Sequence, residues 1–321
     1  MLKIKNKIPS ALTIGGKIVE RIKMRNEVVW ENVQTDYFYI ESLGDVNTIS
    51  VKNKGDGSTD NVTPTLEYST DKNTWNTITF DWTSGNHTTE LPVKLNTGEK
   101  MYFRNDTHLF SNSYSKYITF SSSVSSNVGG DIRTLSNYLD VNNETKPQTN
   151  MFCNLFYYNK YIVNASNLRL PYTTLAYSCY GGMFQSCTSL TTAPELPATT
   201  LGQYCYSSMF SSCTKLTSAP ALIATTLVSN CYYGMFRYCS SLTTAPELPA
   251  TTLAKNCYYN MFQNCTSLNS ITVYADDISA SNCTNNWLSR VSSTGTFNNY
   301  GSAIYPTGPS GIPTGWTEVK N

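Results

Sequence analysis

A chain of 321 residues with a formal net charge of +1 and 14% charged residues can bury a sizeable core, but it is too neutral to grip a phosphate backbone. Two histidines against 23 tyrosines leave little for metal ligation or acid–base chemistry, and no stretch reaches the length of a membrane-spanning helix. No nucleic acid, membrane insertion, cofactor or metal is expected.

Residues 1–32 form the first piece. "ALTIGGKIVERIKMRNEVVWE" alternates apolar and polar residues around Gly15-Gly16, as a hairpin does. Seven Lys/Arg against three Glu give the piece a net +4. So small a piece buries little alone and is expected to pack on a partner or on its own copies. The basic start lacks a continuous apolar segment, so no signal peptide is expected and the ten cysteines should begin as cytoplasmic thiols.

Residues 33–125 read as an all-β sandwich. "YFYIES", "TISVKN", "TLEYST", "WNTITF", "KMYFRND" and "KYITFSS" are short β-rich runs, separated by turn signals such as "KGDGSTDN" and "NTGE". Residues 126–150 read as a linker or N-terminal cap, because "SSSVSSNVGG" has linker composition and a short helix is expected in "DIRTLSNYL".

From 151 to 290 the chain repeats. Met-Phe recurs at Met183, Met209, Met235 and Met261, 26 residues apart. Cysteines fall at 153, 179, 205, 231, 257 and 283, and a second set at 187, 213, 239 and 265, which accounts for all ten. A period of 26 lies in the leucine-rich-repeat range. Cys205, Met209 and Cys213 are spaced i, i+4, i+8, which predicts one face of a short helix in each unit. The ends degrade, with Tyr157-Tyr158 and Trp287-Leu288 in place of Met-Phe, as solenoid ends do. The expected fold is therefore multidomain: an all-β sandwich followed by an α/β leucine-rich-repeat solenoid of 26-residue units.

Phe210, Cys213, Leu216 and Leu222, with Leu196-Pro197 and Leu248-Pro249, resemble the BspA-like leucine-rich repeats. The Met before the aromatic and the longer unit depart from that pattern. The tail, residues 291–321, resembles the C-terminal cap that commonly follows such repeats. The "LEYSTDKNTW…TGEKMYFRND" segment is similar to β-domains ahead of such repeats in proteins of gut bacteria and their phages, and "IGGKIVERIKMRNEVVWE" to N-terminal modules of phage virion appendages. The resemblance implies a structural virion protein, a head or tail fibre-like appendage, assembled in the host cytoplasm. It implies attachment to other virion proteins through the N-terminus, with Lys17, Arg21, Lys23, Arg25 and Trp30 as candidates, and a symmetric homo-oligomer. The alternatives are a bacterial surface adhesin of the BspA-like type and a purely structural virion decoration.

No catalytic site is expected. Cysteine pairs eight apart without histidine do not fit zinc. Register-matched cysteines about 5 Å apart allow a disulfide, but the same two in every coil fit a buried small-residue ladder better. His87 and His108 read as solvated loop residues, and Asp276-Asp277 as a turn. The candidate receptor face for host glycan or protein comprises Tyr206, Tyr233 and Tyr259 with the hydroxyls of Thr199, Thr200, Thr251 and Thr252. The competing reading is half-buried packing for the tyrosines and ordinary turns for the threonines.

Overall fold

The computed structural model describes residues 12–14, 17–19, 21–24, 27–31, 36–55, 65–80, 85–105, 117–137 and 146–320. They divide into two compact units, Met1–Asp36 and Tyr37–Asn321.

In the first unit, β1 (Leu12–Ile14) pairs antiparallel with β2 (Lys17–Val19), bringing Ile14 opposite Lys17 as the hairpin reading expects. A second antiparallel pair joins β3 (Arg21–Met24) to β4 (Glu27–Glu31), with a register shift between Ile22 and Lys23.

The second unit begins with two facing sheets. Their strands are β5 (Phe38–Ser42), β6 (Asn47–Gly55), β7 (Thr65–Ser69), β8 (Asn76–Thr79), β9 (Gly85–Leu95), β10 (Lys100–Arg104), β11 (Tyr117–Ser122) and β12 (Ser126–Asp131), followed by one-turn helix α1 (Thr134–Asn137) and β13 (Ile162–Arg169). One sheet has the order β13-β12-β5-β10-β7-β8 and the other β11-β6-β9. The period-2 pattern decides the faces: Met101 and Phe103 of β10 point inward, while Lys100, Tyr102 and Arg104 point out. Phe38 of one sheet meets Phe120 of the other at 5.4 Å, inside a core that also holds Ile40, Val51, Leu66 and Ile118.

The linker expected at the start of residues 126–150 is corrected by the fold. Ser126–Asp131 is the buried strand β12, lying between β5 and β13. Its glycines serve close approach rather than flexibility. A Cβ on Gly129 would collide with the Tyr39 ring, and Gly130 combines φ +82° with a collision against the Tyr37 carbonyl. Strand β9 has no counterpart among the expected runs; its "GNHTTELPVKL" has few buried positions and no apolar alternation to mark it.

The 26-residue units stack as parallel coils, and the first coil shares the core of the two sheets. Phe156 lies 5.9 Å from Phe38 and 5.0 Å from Phe184, the Phe120 amide donates to the Leu155 carbonyl, and β12 pairs in parallel with β13.

The expected short helix does not form. Cys179–Cys187 is a ladder of overlapping turns in which odd and even amides do different jobs. Gly181, Met183, Gln185 and Cys187 donate within the coil to the residue three back. Tyr180, Gly182, Phe184 and Ser186 donate to the next coil, at Cys205, Ser207, Met209 and Ser211, over 2.8–3.0 Å. Every fourth residue has positive φ: Ser178, Gly182 and Ser186 here, and Asn256, Asn260 and Asn264 in a later coil. A right-handed helix cannot contain such residues; Gly and Asn reach this conformation at small cost, whereas Ser178, Ser186, Tyr204 and Tyr238 adopt it at a steric cost. The four-residue turn period places i, i+4 and i+8 on one face, as a helix does, so the spacing alone does not separate the two. The architecture is β-rich, with little helix among the described residues.

Inside the coils the side chains form columns. Phe156, Phe184, Phe210, Phe236 and Phe262 stack at 5.0–5.6 Å. Beside them Phe152, Tyr180, Tyr206, Tyr232, Tyr258 and Trp287 stack at 5.9–6.1 Å. At the C-terminal end Trp287 also stacks on Tyr305 at 5.7 Å and its Nε1 donates to the Gly311 carbonyl. A parallel sheet, β14 (Ser270–Val273), β15 (Gly295–Asn299) and β16 (Trp316–Lys320), closes that end.

Candidate functional site

All ten cysteines are free and buried. The second set bridges coils: the thiols of Cys187, Cys213, Cys239 and Cys265 donate to the carbonyls of Phe156, Phe184, Phe210 and Phe236 in the preceding coil, over 3.0–3.1 Å. Burial pushes the thiols of Cys153, Cys231 and Cys265 up to about 12. Thiolate, the nucleophilic and metal-binding form, is therefore suppressed at neutral pH.

The other candidate chemistry is also engaged. Asp276 Oδ1 accepts from the Ser302 amide and hydroxyl at 2.8 Å, and Asp277 Oδ1 accepts from the Ser279 amide at 2.8 Å. These bonds lower both carboxyls below the usual range, so the pair stays ionised and caps turns. His87 lies in strand β9 opposite Asn53, not in a loop; His108 lies outside the described residues. Among the described residues no three His, Cys, Asp or Glu side chains gather as a metal would need. An open depression of about 410 Å³ on the two-sheet layer is lined by Thr70, Val93, Lys94, Asn96, Glu99 and Lys100. Two of its polar side chains are already paired, Glu99 Oε2 with the Asn96 amide and Lys94 Nζ with Thr48 Oγ1.

The candidate receptor residues separate into three groups. Tyr206 is a correction: it is 1% exposed, stacked between Tyr180 and Tyr232, because the first position after the cysteine points into the coil. It has no surface to offer a receptor. Tyr233 and Tyr259, one position later, are half-buried and stack on each other at 5.0 Å with 7° between their planes. Thr199, Thr200, Thr251 and Thr252 are exposed, on the stretch of coil that precedes the turn ladder. Their backbones join neighbouring coils, with both Thr199 and Thr200 amides donating to the Thr173 carbonyl and both Asp276 and Asp277 amides to that of Thr251. The tyrosine pair and the threonines thus sit on different stretches of the coil and do not form one contiguous set by sequence position.

Sequence reasoning missed several outer residues of the turn ladder. The Arg237 guanidinium lies 4.8 Å from the Tyr238 ring and its NH2 donates to the Tyr238 hydroxyl at 3.2 Å. Tyr177 meets Tyr204 edge-on at 5.6 Å, and Tyr157 meets Tyr158 at 4.4 Å. For Tyr177, Tyr204, Arg237 and Tyr238 the signal is the 26-residue register itself: the inner registers repeat Cys, Met, Phe and Cys, and these four residues occupy registers that vary, whereas Tyr157 and Tyr158 fall on the Met-Phe registers and carry no such mark.

Of the N-terminal candidates, Lys17 pairs opposite Ile14, Arg21 opposite Glu31, Lys23 opposite Val28 and Trp30 opposite Ile22 in the backbone ladders, while Arg25 lies outside the described residues. No helix among the described residues is long and apolar enough to cross a membrane. Comparison with family models, with curated proteins and with solved structures finds no match for the chain. Fold and site therefore define a class by geometry alone: a β-rich protein of two facing sheets continued by stacked coils.

Proposed function

We propose that the chain is a non-enzymatic virion appendage of a phage, head or tail fibre-like, whose coils are a leucine-rich-repeat solenoid of the BspA-like kind that adheres to host-surface glycan or protein. The Met1–Asp36 unit, in several symmetric copies, attaches it to other virion proteins. The observation that carries the reading is the division of roles within each coil. Thiols, methionines and Leu190, Leu216, Leu242 and Leu268 are inside, while threonines such as Thr199, Thr200, Thr251 and Thr252 and a subset of the tyrosines are left on outward registers that span several coils. Such a surface is built for contact over an area, with aromatic rings giving contact at low entropic cost.

The test uses the intact chain, because coils and sheets share one core and excising the coils would open it. Fluorescently labelled protein is mixed with host cells, then unlabelled protein is used to compete with phage adsorption. Saturable binding with competition supports the reading. Particle incorporation with no cell binding supports a decoration instead, and surface display by a bacterium without any particle supports the adhesin. Deleting Met1–Asp36, a separate compact unit, should abolish incorporation and leave cell binding intact.

A further inference from the structure

The turn ladders are one-sided in charge. Residues 150–159, 176–188, 202–214, 228–240, 254–266 and 280–292 contain no Asp or Glu, yet hold Arg237, Lys255 and Arg290. The acids of the coil region, Glu195, Glu247, Asp276 and Asp277, all fall on the other stretch. Lys255 and Arg290 are exposed, and Arg237 is half-buried.

The same ladders carry groups of a second kind. Tyr177 and Tyr238 are exposed, Tyr204 is half-buried, and the Tyr233–Tyr259 stack crosses two coils. Arg237 and Gln263 occupy the same register one coil apart, linked by the Tyr238 amide donating to the Gln263 carbonyl. Arg237 Nε, Gln263 Oε1 and the Oδ1 of Asn260, a residue only 8% exposed, have no hydrogen-bond partner. Unpaired buried polar atoms carry a cost that a ligand, or a small rotation toward one, relieves.

We propose that the outer face of the turn ladders, from Tyr177 to Arg290, binds an acidic polysaccharide; this rests on the adhesion reading above and names its ligand class. Guanidinium and ammonium groups take the carboxylates or sulfates, Arg as a planar fork and Lys as a point charge. Tyrosine rings take the apolar faces of the sugars, and the amides of Asn260 and Gln263 take hydroxyls. Charge complementarity selects an anionic polymer over a neutral one, and an extended polymer can reach cations that lie on successive coils.

The full chain is titrated with polygalacturonate and with dextran sulfate, with dextran as the neutral control and single-stranded DNA as the non-saccharide polyanion. Both acidic polysaccharides should bind, and dextran should not. Binding should weaken several-fold as salt rises through the range where the Debye length falls below about 10 Å. Arg237→Gln/Lys255→Gln/Arg290→Gln should lose at least tenfold in affinity with an unchanged urea midpoint, whereas Glu195→Gln/Glu247→Gln should not weaken it. Should the triple variant fail to fold, Lys255→Gln/Arg290→Gln, at two exposed positions, carries the test with an expected threefold loss. Equal binding of dextran, equal binding of DNA, or unchanged affinity in the folded variant overturns the proposal. Host-cell binding that survives the triple variant overturns it while leaving adhesion standing. Acidic-polymer binding by a protein that ignores host cells supports the ligand class and removes adhesion alone.

Discussion

Replacing Tyr206 by phenylalanine should leave the protein as stable as before or make it more stable, the opposite of the usual result of deleting a buried hydroxyl. The Tyr206 ring is enclosed, 6.0 Å from Tyr180 and 5.9 Å from Tyr232, and a phenylalanine ring keeps both stacks. Its hydroxyl is buried without a hydrogen-bond partner, as is that of Tyr180. A buried polar group left unsatisfied costs about 1–3 kcal/mol. Tyr206→Phe removes that cost and leaves a void of one oxygen atom, so the net gain should be about 1 kcal/mol. The column itself offers a precedent, since its first coil has Phe152 at this register. Urea unfolding followed by circular dichroism measures the outcome as a higher midpoint at unchanged slope. Tyr180→Phe should act in the same direction. A loss of about 1 kcal/mol or more in Tyr206→Phe would refute the reasoning, because it would mean that the hydroxyl has a partner inside the coil.

Phe210→Ala should destabilise by about 3–5 kcal/mol in the same assay, since it opens a cavity between Phe184 and Phe236, each 5.6 Å away. Gly130→Ala should cost well over the roughly 1–3 kcal/mol of a strained φ, because its Cβ collides with the Tyr37 carbonyl; Gly98→Ala, at φ +84° with open space around it, should cost the strain alone. The thiols should resist a thiol-specific reagent at pH 8 until urea unfolds the chain, whereupon all ten react. Because burial raises thiols such as Cys153, Cys231 and Cys265 from 9.0 to about 12, the unfolded chain ionises first; their contribution is intact below pH 9 and is lost between pH 9 and 12, at about 1.4 kcal/mol per pH unit for each thiol. Unfolding midpoints that stay flat across that window would contradict their burial.

How much was legible in the sequence depended on whether a signal was local or relational. The 26-residue register of Cys, Met and Phe located every coil, since each inner residue touches its own counterpart in the next coil and must suit it. In the first coil the register slips by two: Phe152 and Phe156, 28 residues ahead of Tyr180 and Phe184, fill the two columns, so Tyr157-Tyr158 is not the counterpart of Met-Phe that a strict period of 26 makes it. What failed were inferences from spacing or composition alone. The i, i+4, i+8 pattern is common to a helix and to a four-residue turn ladder, and the distinguishing mark, a positive φ at every fourth position, is a conformational one that Tyr204 and Tyr238 share with Ser, Asn and Gly. Ser126–Asp131 has the composition of a linker, yet Gly129 and Gly130 are required by the Tyr39 ring and Tyr37 carbonyl packed against them, not by flexibility. Tyr206 and Tyr233 differ by one register within adjacent coils, and only the fold shows that the first is enclosed and the second is not.

The cysteines illustrate why the interior varies so little from coil to coil and where specificity is left to reside. At 187, 213, 239 and 265 the residue must fit between two coils, accept full burial, and present a donor to a phenylalanine carbonyl that already receives one amide, as Phe184 receives that of Cys187. Alanine lacks the donor, valine lacks it and is larger, and serine is costlier to dehydrate; a thiol meets all three demands with a weak bond. Two neighbouring registers, buried in the early coils at Gly181, Ser207 and Ser211 and half-buried in the later ones, are under no such demand. Gly181, Ser207, Tyr233 and Tyr259 share one register and Gln185, Ser211, Arg237 and Gln263 another, and each series changes character along the stack. Within a single chain, then, the coils serve as controls for one another. Positions that must pack against the same partner in every coil hold one residue type, and positions without that demand differ. On these two registers the differences put the aromatic rings and the guanidinium, Tyr233, Tyr259 and Arg237, on the later coils, within the face from Tyr177 to Arg290 where a ligand has to be sought.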